Sequence, residues 1–152
     1  MAAVETLGKL DAEELAAHLP AVVAKLEDSE WGVRRAAVKT LGKLGAEELA
    51  AHAPAVVAKL EHSDWGVRKA AMETLGKLGA QELAAHAPAV VAKLEDSNED
   101  VRKAAVQTLG KLGAAALAAH ANALKRTLED DDTEVRKAAE MVLAKLSAAE
   151  AE

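Results

Sequence analysis

The chain has 152 residues, with 25 acidic against 19 Lys and Arg side chains and a formal net charge of −6. That balance argues against nucleic acid, which needs a basic face to release counterions, and the absence of cysteine excludes disulfides, thiol catalysis and Cys-ligated zinc. No apolar run approaches the length that spans a bilayer and the N-terminus lacks a signal-peptide pattern, so a soluble chain with no membrane partner is expected.

The alphabet is narrow. Ala, Leu, Val, Lys and Glu dominate, Tyr and Phe are absent, and there are two Trp, which is helix-forming composition. The chain also repeats itself every 34 residues. VRKAA begins at Val67, Val101 and Val135, and VRRAA at Val33; TLGKL begins at Thr6, Thr40, Thr74 and Thr108; His18, His52, His86 and His120 keep the same spacing. A fixed period in this range predicts stacked helical pairs and not one globular core.

In chain order, a lone second helix covers 2–10, and helix pairs follow at 12–44, 46–78, 80–112 and 114–149, about nine helices in all. The second full unit shows the pattern. Leu49, Ala53, Val56, Val57 and Leu60 fall at helical spacing and define a first helix, and Val67, Ala71, Leu75 and Leu78 define a second. Glu61 to Asp64 make a polar turn in which Ser63 or Asp64 can cap the second helix. Gly79 sits where a left-handed C-terminal residue is wanted. The expected domain is single, 1–152, with a half-repeat at 1–11, inner repeats at 12–45, 46–79 and 80–113, and a capping repeat at 114–152.

The last unit is altered. Pro88 becomes Asn122, Val91 becomes Lys125, Ala92 becomes Arg126 and Val106 becomes Glu140, as a terminal repeat needs for a solvated outer face. Gly110 and Gly113 become Ala144 and Ser147, which removes the stop signal and should lengthen the final helix. The two inner units ending at Gly79 and Gly113 differ at only seven of 34 positions. Such uniformity fits either recent duplication or deliberate consensus design.

The string LEDSEWGVRRAAVKTLGKLG (Leu26 to Gly45) resembles a HEAT repeat, and the resemblance recurs four times over essentially the whole chain. It is most similar to the regular HEAT-like arrays that include artificial alpha-helicoidal repeat scaffolds. The 34-residue period also fits tetratricopeptide repeats, but their aromatic positions are missing here. The resemblance implies an all-α, right-handed α-solenoid of stacked antiparallel helix pairs. It also implies structural pairs between a turn Asp and the Arg six residues later: Asp28–Arg34, Asp96–Arg102 and Asp130–Arg136. In the second unit His62 stands before Arg68, so that pair is lost and this turn should be the loosest, by about 1 kcal/mol or less. The alternative is that His62 is a contact residue.

No catalytic constellation emerges. Equivalent histidines on adjacent packed helices lie about 8–10 Å apart, too far for two imidazoles each about 2 Å from one zinc. A structural place beside the first-helix proline is expected instead: Pro54 frees the Ala50 carbonyl and His52 can lie along the resulting kink. Glu14, Glu48 and Glu82 precede a histidine by four residues, an ordinary same-face pair. The HEAT-like enzyme deoxyhypusine hydroxylase binds iron through His-Glu dipeptides, a motif absent here. The Gly-Lys-Leu strings lack the rest of a P-loop. No metal, no cofactor and no enzymatic activity are expected.

Trp31 and Trp65 share one repeat position, which becomes Glu99 and Thr133 further on. A core position would not change to a charge, so these tryptophans are expected at a surface, as interface anchors or as covers for a neighbouring turn. Around them an arc of the second helices collects the candidate partner-binding residues Trp31, Gly32, Arg35, Lys39, Trp65, Gly66, Lys69, Glu73, Glu99, Asp100, Lys103 and Gln107. In HEAT-like proteins the corresponding concave face is where partners bind. Arg35, Lys69, Lys103 and Lys137, with Lys43, Lys77, Lys111 and Lys145, form a basic rail that could attract an acidic peptide. The expected function is a non-catalytic protein- or peptide-binding scaffold. The alternatives are an engineered building block without a native ligand and an accessory subunit of an enzyme. Self-association is expected first at the N-terminal half-unit.

Overall fold

A computed structural model describes residues 2–152, with the side chains of residues 2, 4, 5 and 12 outside the description. The expected self-association at the N-terminal half-unit falls in part on those side chains, and to that extent outside the described residues. The chain divides into two compact units, Met1–Leu78 and Gly79–Glu152. The first holds α1 (Ala2–Leu7), α2 (Ala12–Ala17), α3 (Leu19–Ala24), α4 (Trp31–Leu41), α5 (Ala46–Ala58) and α6 (Trp65–Leu75). The second holds α7 (Ala80–Ala92), α8 (Glu99–Leu109), α9 (Ala114–Ala119), α10 (Ala121–Arg126) and α11 (Thr133–Glu150). No strand occurs among the described residues, and the fold class is the all-α helical-repeat solenoid that the period predicts.

Each pair closes through a single 3₁₀ turn, at Lys25–Glu27, Lys59–Glu61, Lys93–Glu95 and Thr127–Glu129. In the first unit α1 packs on α4 and α4 on α6, while α3 and α5 cover them from the other layer. In the second unit α8 packs on α11, with α7 covering α8 and α9 and α10 covering α11. The seam between second helices mixes small residues with large apolar ones. Ala37, Val38 and Leu41 of α4 and Ala70, Ala71, Met72 and Leu75 of α6 are all buried. Close approach also leaves room for one polar bridge: the Thr74 hydroxyl lies 2.8 Å from the Ala70 carbonyl and 3.1 Å from the Val38 carbonyl of the neighbouring helix. In the second unit a Cβ placed on Gly110 would sit 2.8 Å from Val142 Cγ2, so glycine sets how closely the end of α8 meets α11.

One expectation about helix ends is corrected. Gly79 is not left-handed: at φ −61° and ψ 154° it is the extended N-cap of α7, and no described residue has a positive φ. The second helices end instead in tightened turns, Lys77 N–H to Thr74 O at 3.0 Å and Leu78 N–H to Leu75 O at 3.1 Å, which satisfy the last carbonyls without a left-handed residue. Pro54 and Pro88 lie inside continuous α5 and α7. The breaks fall at His18, two residues before Pro20, and at His120, where Asn122 replaces the proline. At both, the histidine N–H bonds three residues back, to Leu15 O and Leu117 O, each at 3.0 Å. Two of the nine expected helices are thus split, in the first and last pairs only. The final helix, freed of its glycines, runs 18 residues where α4, α6 and α8 run 11.

Candidate functional site

Asp28, Asp96 and Asp130 were expected to grip the arginine six residues on. Instead Arg34 Nη1 donates to the backbone carbonyls of Asp28 and Ser29 at 2.6 and 2.8 Å. Arg102 does the same to Asp96 O at 2.9 Å and Arg136 to Asp130 O at 2.6 Å. The carboxylates are occupied within the turn: Asp28, Asp96 and Asp130 accept the N–H groups of Glu30, Asn98 and Asp132 at 2.9–3.0 Å. The guanidinium fits the carbonyls because the turn points two of them at one face, and a charged donor gains most from such a fork.

That arrangement changes what His62 does. Arg68 Nη1 still reaches His62 O and Ser63 O, at 2.9 and 3.0 Å, and His62 Nδ1 accepts the Asp64 N–H at 3.0 Å in place of a carboxylate. Inside its own turn the substitution keeps the backbone bonds but gives up the ion pair that Asp28 makes with Lys25 at 3.1 Å. A further loss appears between repeats. In the second unit Arg102 reaches the next turn, with Nε and Nη2 on the two Asp130 carboxylate oxygens at 2.8 and 3.0 Å and Nη2 also on Asp131 at 2.9 Å. In the first unit Arg34 meets His62 at the equivalent place. Its Nε is buried without an acceptor, and only a longer ion pair, 3.6 Å to Asp64, remains. Burial opposes ionisation of Asp130, but the Arg102 guanidinium and the Asp132 N–H outweigh it and hold the carboxyl below its usual value. His62 is held below the usual histidine value by burial and then by Arg34, with Asp64 opposing.

The candidate contact face of the first unit lies on α4 and α6. Trp31 and Trp65 each open their helix and are 59% and 44% exposed. The Asp64 carboxylate caps α6 by accepting the Gly66 N–H at 2.8 Å, whereas Glu30 makes no such bond to α4. Lys39 and Glu73 are exposed, and Gly32, Arg35 and Lys69 are half-buried. Gly66 leaves the exposed arc: it is buried, and a Cβ there would lie a tight 3.2 Å from the capping Asp64 Oδ1 and in ordinary contact with the Arg35 stem at 3.9 Å. In the second unit Glu99 and Gln107 are exposed and Asp100 and Lys103 half-buried. Lys103 pairs with Glu134 at 3.4 Å, and Glu134 also holds Lys137 at 3.0 Å. Lys137 and then Lys103 keep the Glu134 carboxyl below its usual value.

Part of the basic rail has a structural use that sequence reasoning missed. Lys43 Nζ donates to Gly8 O, and Lys145 Nζ lies 3.4 Å from Gly110 O. A Cβ on Gly42 would lie 2.9 Å from Lys77 Nζ. Lys43 and Lys145 thus cover a C-terminal carbonyl of the preceding second helix, where a cation is favoured. The strict recurrence of TLGKL was the available signal: Thr bridges helices, Gly permits approach and Lys caps.

No group of three or more His, Asp or Glu positioned for a metal occurs among the described residues, and none of their helices is long and apolar enough to cross a membrane. The model of the family described as HEAT repeats matches residues 1–53, 20–87 and 53–144. No curated protein sequence matches. Among solved structures the chain is similar to the complex of CpcE and CpcF of phycocyanin lyase from Nostoc sp. PCC7120, at 26% identity and TM-score 0.69, over 88% of this chain and 54% of that one. It therefore spans about half the length of that relative. It is similar also to a designed armadillo repeat protein in complex with the peptide (KR)4, at 21% identity and TM-score 0.74, over 95% and 72%. Human deoxyhypusine hydroxylase in complex with glycerol matches at 23% identity and TM-score 0.64, over 86% and 43%.

Proposed function

Because this chain belongs to the HEAT-repeat family, we propose that it is a non-catalytic scaffold that binds a protein or peptide on the surface of its second helices. The observation that carries this reading is the pair of tryptophans. Large apolar side chains normally leave the surface, yet Trp31 and Trp65 stand open at equivalent points of the two adjacent helices α4 and α6. Two aromatic anchors one repeat apart give a bound chain both affinity and register. Arg35 and Lys39 on α4 and Lys69 on α6 add positive charge beside them, which suits an acidic partner. The peptide held by the similar designed armadillo protein supports a peptide as ligand class, while its basic sequence gives no support for an acidic one.

The test is a displayed peptide library selected on the immobilised protein, followed by titration of the winners against a Trp31→Ala, Trp65→Ala double variant. Binding should blue-shift the tryptophan emission of the parent and weaken at least tenfold in the double variant, the scale expected for one lost anchor. Equal affinity for both proteins would remove the anchors from the reading. A second reading is favoured by the near-identity of the inner units: an idealised or engineered building block with no native ligand. Selection that returns no binder at all, together with very high thermal stability, would favour it.

A further inference from the structure

We infer that the C-terminal half of the α8–α11 face is a second, separate docking site, and that it takes an acidic peptide carrying one large apolar side chain. The inference rests on the scaffold reading above but uses none of its tryptophans. Met141 is 70% exposed, more than either tryptophan, on a face where the register positions in the other repeats are Lys39, Glu73 and Gln107. It stands over a shallow groove of about 210 Å³ floored by Gly110, Ala138 and Val142 and flanked by Lys111 and Lys145. Gly110 lets the end of α8 pack directly against Val142, where a Cβ would lie only 2.8 Å from Cγ2, so bare backbone forms part of the groove floor.

Charge decides the occupant. Toward the helix N-termini, Lys103 and Lys137 are both engaged by Glu134, and Glu99 and Asp100 add negative charge. Toward the C-termini no acid lines the groove. Gln107 is neutral where the preceding repeat has Glu73, and Lys111 has no ion pair among the described residues. Lys145 spends at most one of its three donors on Gly110 O, at 3.4 Å. Two ammonium groups beside an apolar floor favour carboxylates on either side of an inserted aliphatic side chain. Methionine suits such a site because its unbranched thioether adapts to different guests.

The experiment is fluorescence anisotropy with a labelled peptide of four glutamates flanking one leucine, and a control with alanine in place of leucine. The leucine peptide should bind about tenfold tighter than the control, as burial of one aliphatic side chain allows. Met141→Ala should remove that advantage without changing the control, and Lys111→Ala with Lys145→Ala should weaken both peptides. Equal binding of leucine and alanine peptides, or no binding of either, would overturn the proposal. So would a dimer in sedimentation that Met141→Glu converts to monomer, because a second copy would then occupy the groove. Circular dichroism checks that each variant is folded. The Trp31→Ala, Trp65→Ala protein separates the two readings: it should bind the leucine peptide unchanged, and loss of binding there with Met141→Ala silent would place the peptide on the tryptophans instead.

Discussion

At residue 62 one side chain rewires two turns. Histidine reproduces the in-turn role of aspartate through Nδ1, but it cannot give Arg34 Nε an acceptor, since the one lone pair it offers is already taken by the Asp64 N–H. The proton affinity of His62 is lowered by burial and by Arg34, with Lys59 and Arg68 adding to the effect and Asp64 opposing it. The folded state therefore prefers the neutral ring. Stability is complete above the unfolded histidine value of about 6.5 and falls as pH drops from there through the lowered folded value. Replacing His62 by Asp supplies the missing acceptor and copies the Arg102–Asp130 contact. His62→Asp should raise stability near pH 7 by about 1 kcal/mol, the discounted scale for a half-buried charged bond. It should also remove the acid loss that sets in below about pH 6.5, shifting it below about pH 4, where the new carboxyl protonates. Paired thermal melts across that range read both effects, and parallel pH curves for the two proteins would refute the assignment.

At the scale of an element, the four second helices that follow turns are not equally started. The Asn98 side chain accepts from Asp100 and Val101 N–H, and that of Asp132 from Glu134 and Val135 N–H. Asp64 accepts from Gly66 N–H, while α4 begins at Glu30 with no side-chain bond although its φ of −86° and ψ of 123° match those caps. A glutamate side chain is one methylene too long for the short loop that an N-cap closes. Glu30→Asp should therefore stabilise the protein by about 0.5–1 kcal/mol. Urea titration should show a higher midpoint with an unchanged slope, and no change in midpoint would mean that the Trp31 end of α4 is held by something other than its cap.

At the scale of the whole chain, stability is expected to be a sum over repeats and their seams, because each pair contacts only its neighbours. Removing 46–79 joins Gly45 to Ala80 and recreates the Gly-Ala junction that already precedes α5 and α7. The shortened protein should keep its helical signal per residue and unfold cooperatively, with a urea slope lower by about a fifth. Loss of folding on that deletion would show that the inner repeat is not an independent increment.

Sequence alone determined the class and the spacing. Helical composition and a 34-residue period force paired helices, the turn residues locate their ends to within a few positions, and the replacement of Trp by Glu99 marked Trp31 and Trp65 as surface residues. Three features were settled only by tertiary structure, because each depends on atoms from two repeats at once. Periodicity could not tell that the arginines would seize turn carbonyls and reach forward to the next turn, since Asp and Arg at six-residue spacing suggest each other. Nor could it tell that Gly66 would be buried, or that Lys43 and Lys145 would reach the end of the preceding second helix. The groove beside Met141 escaped for the same reason: its floor comes from α8 and α11 together, and a linear repeat shows each helix but not the space between two of them.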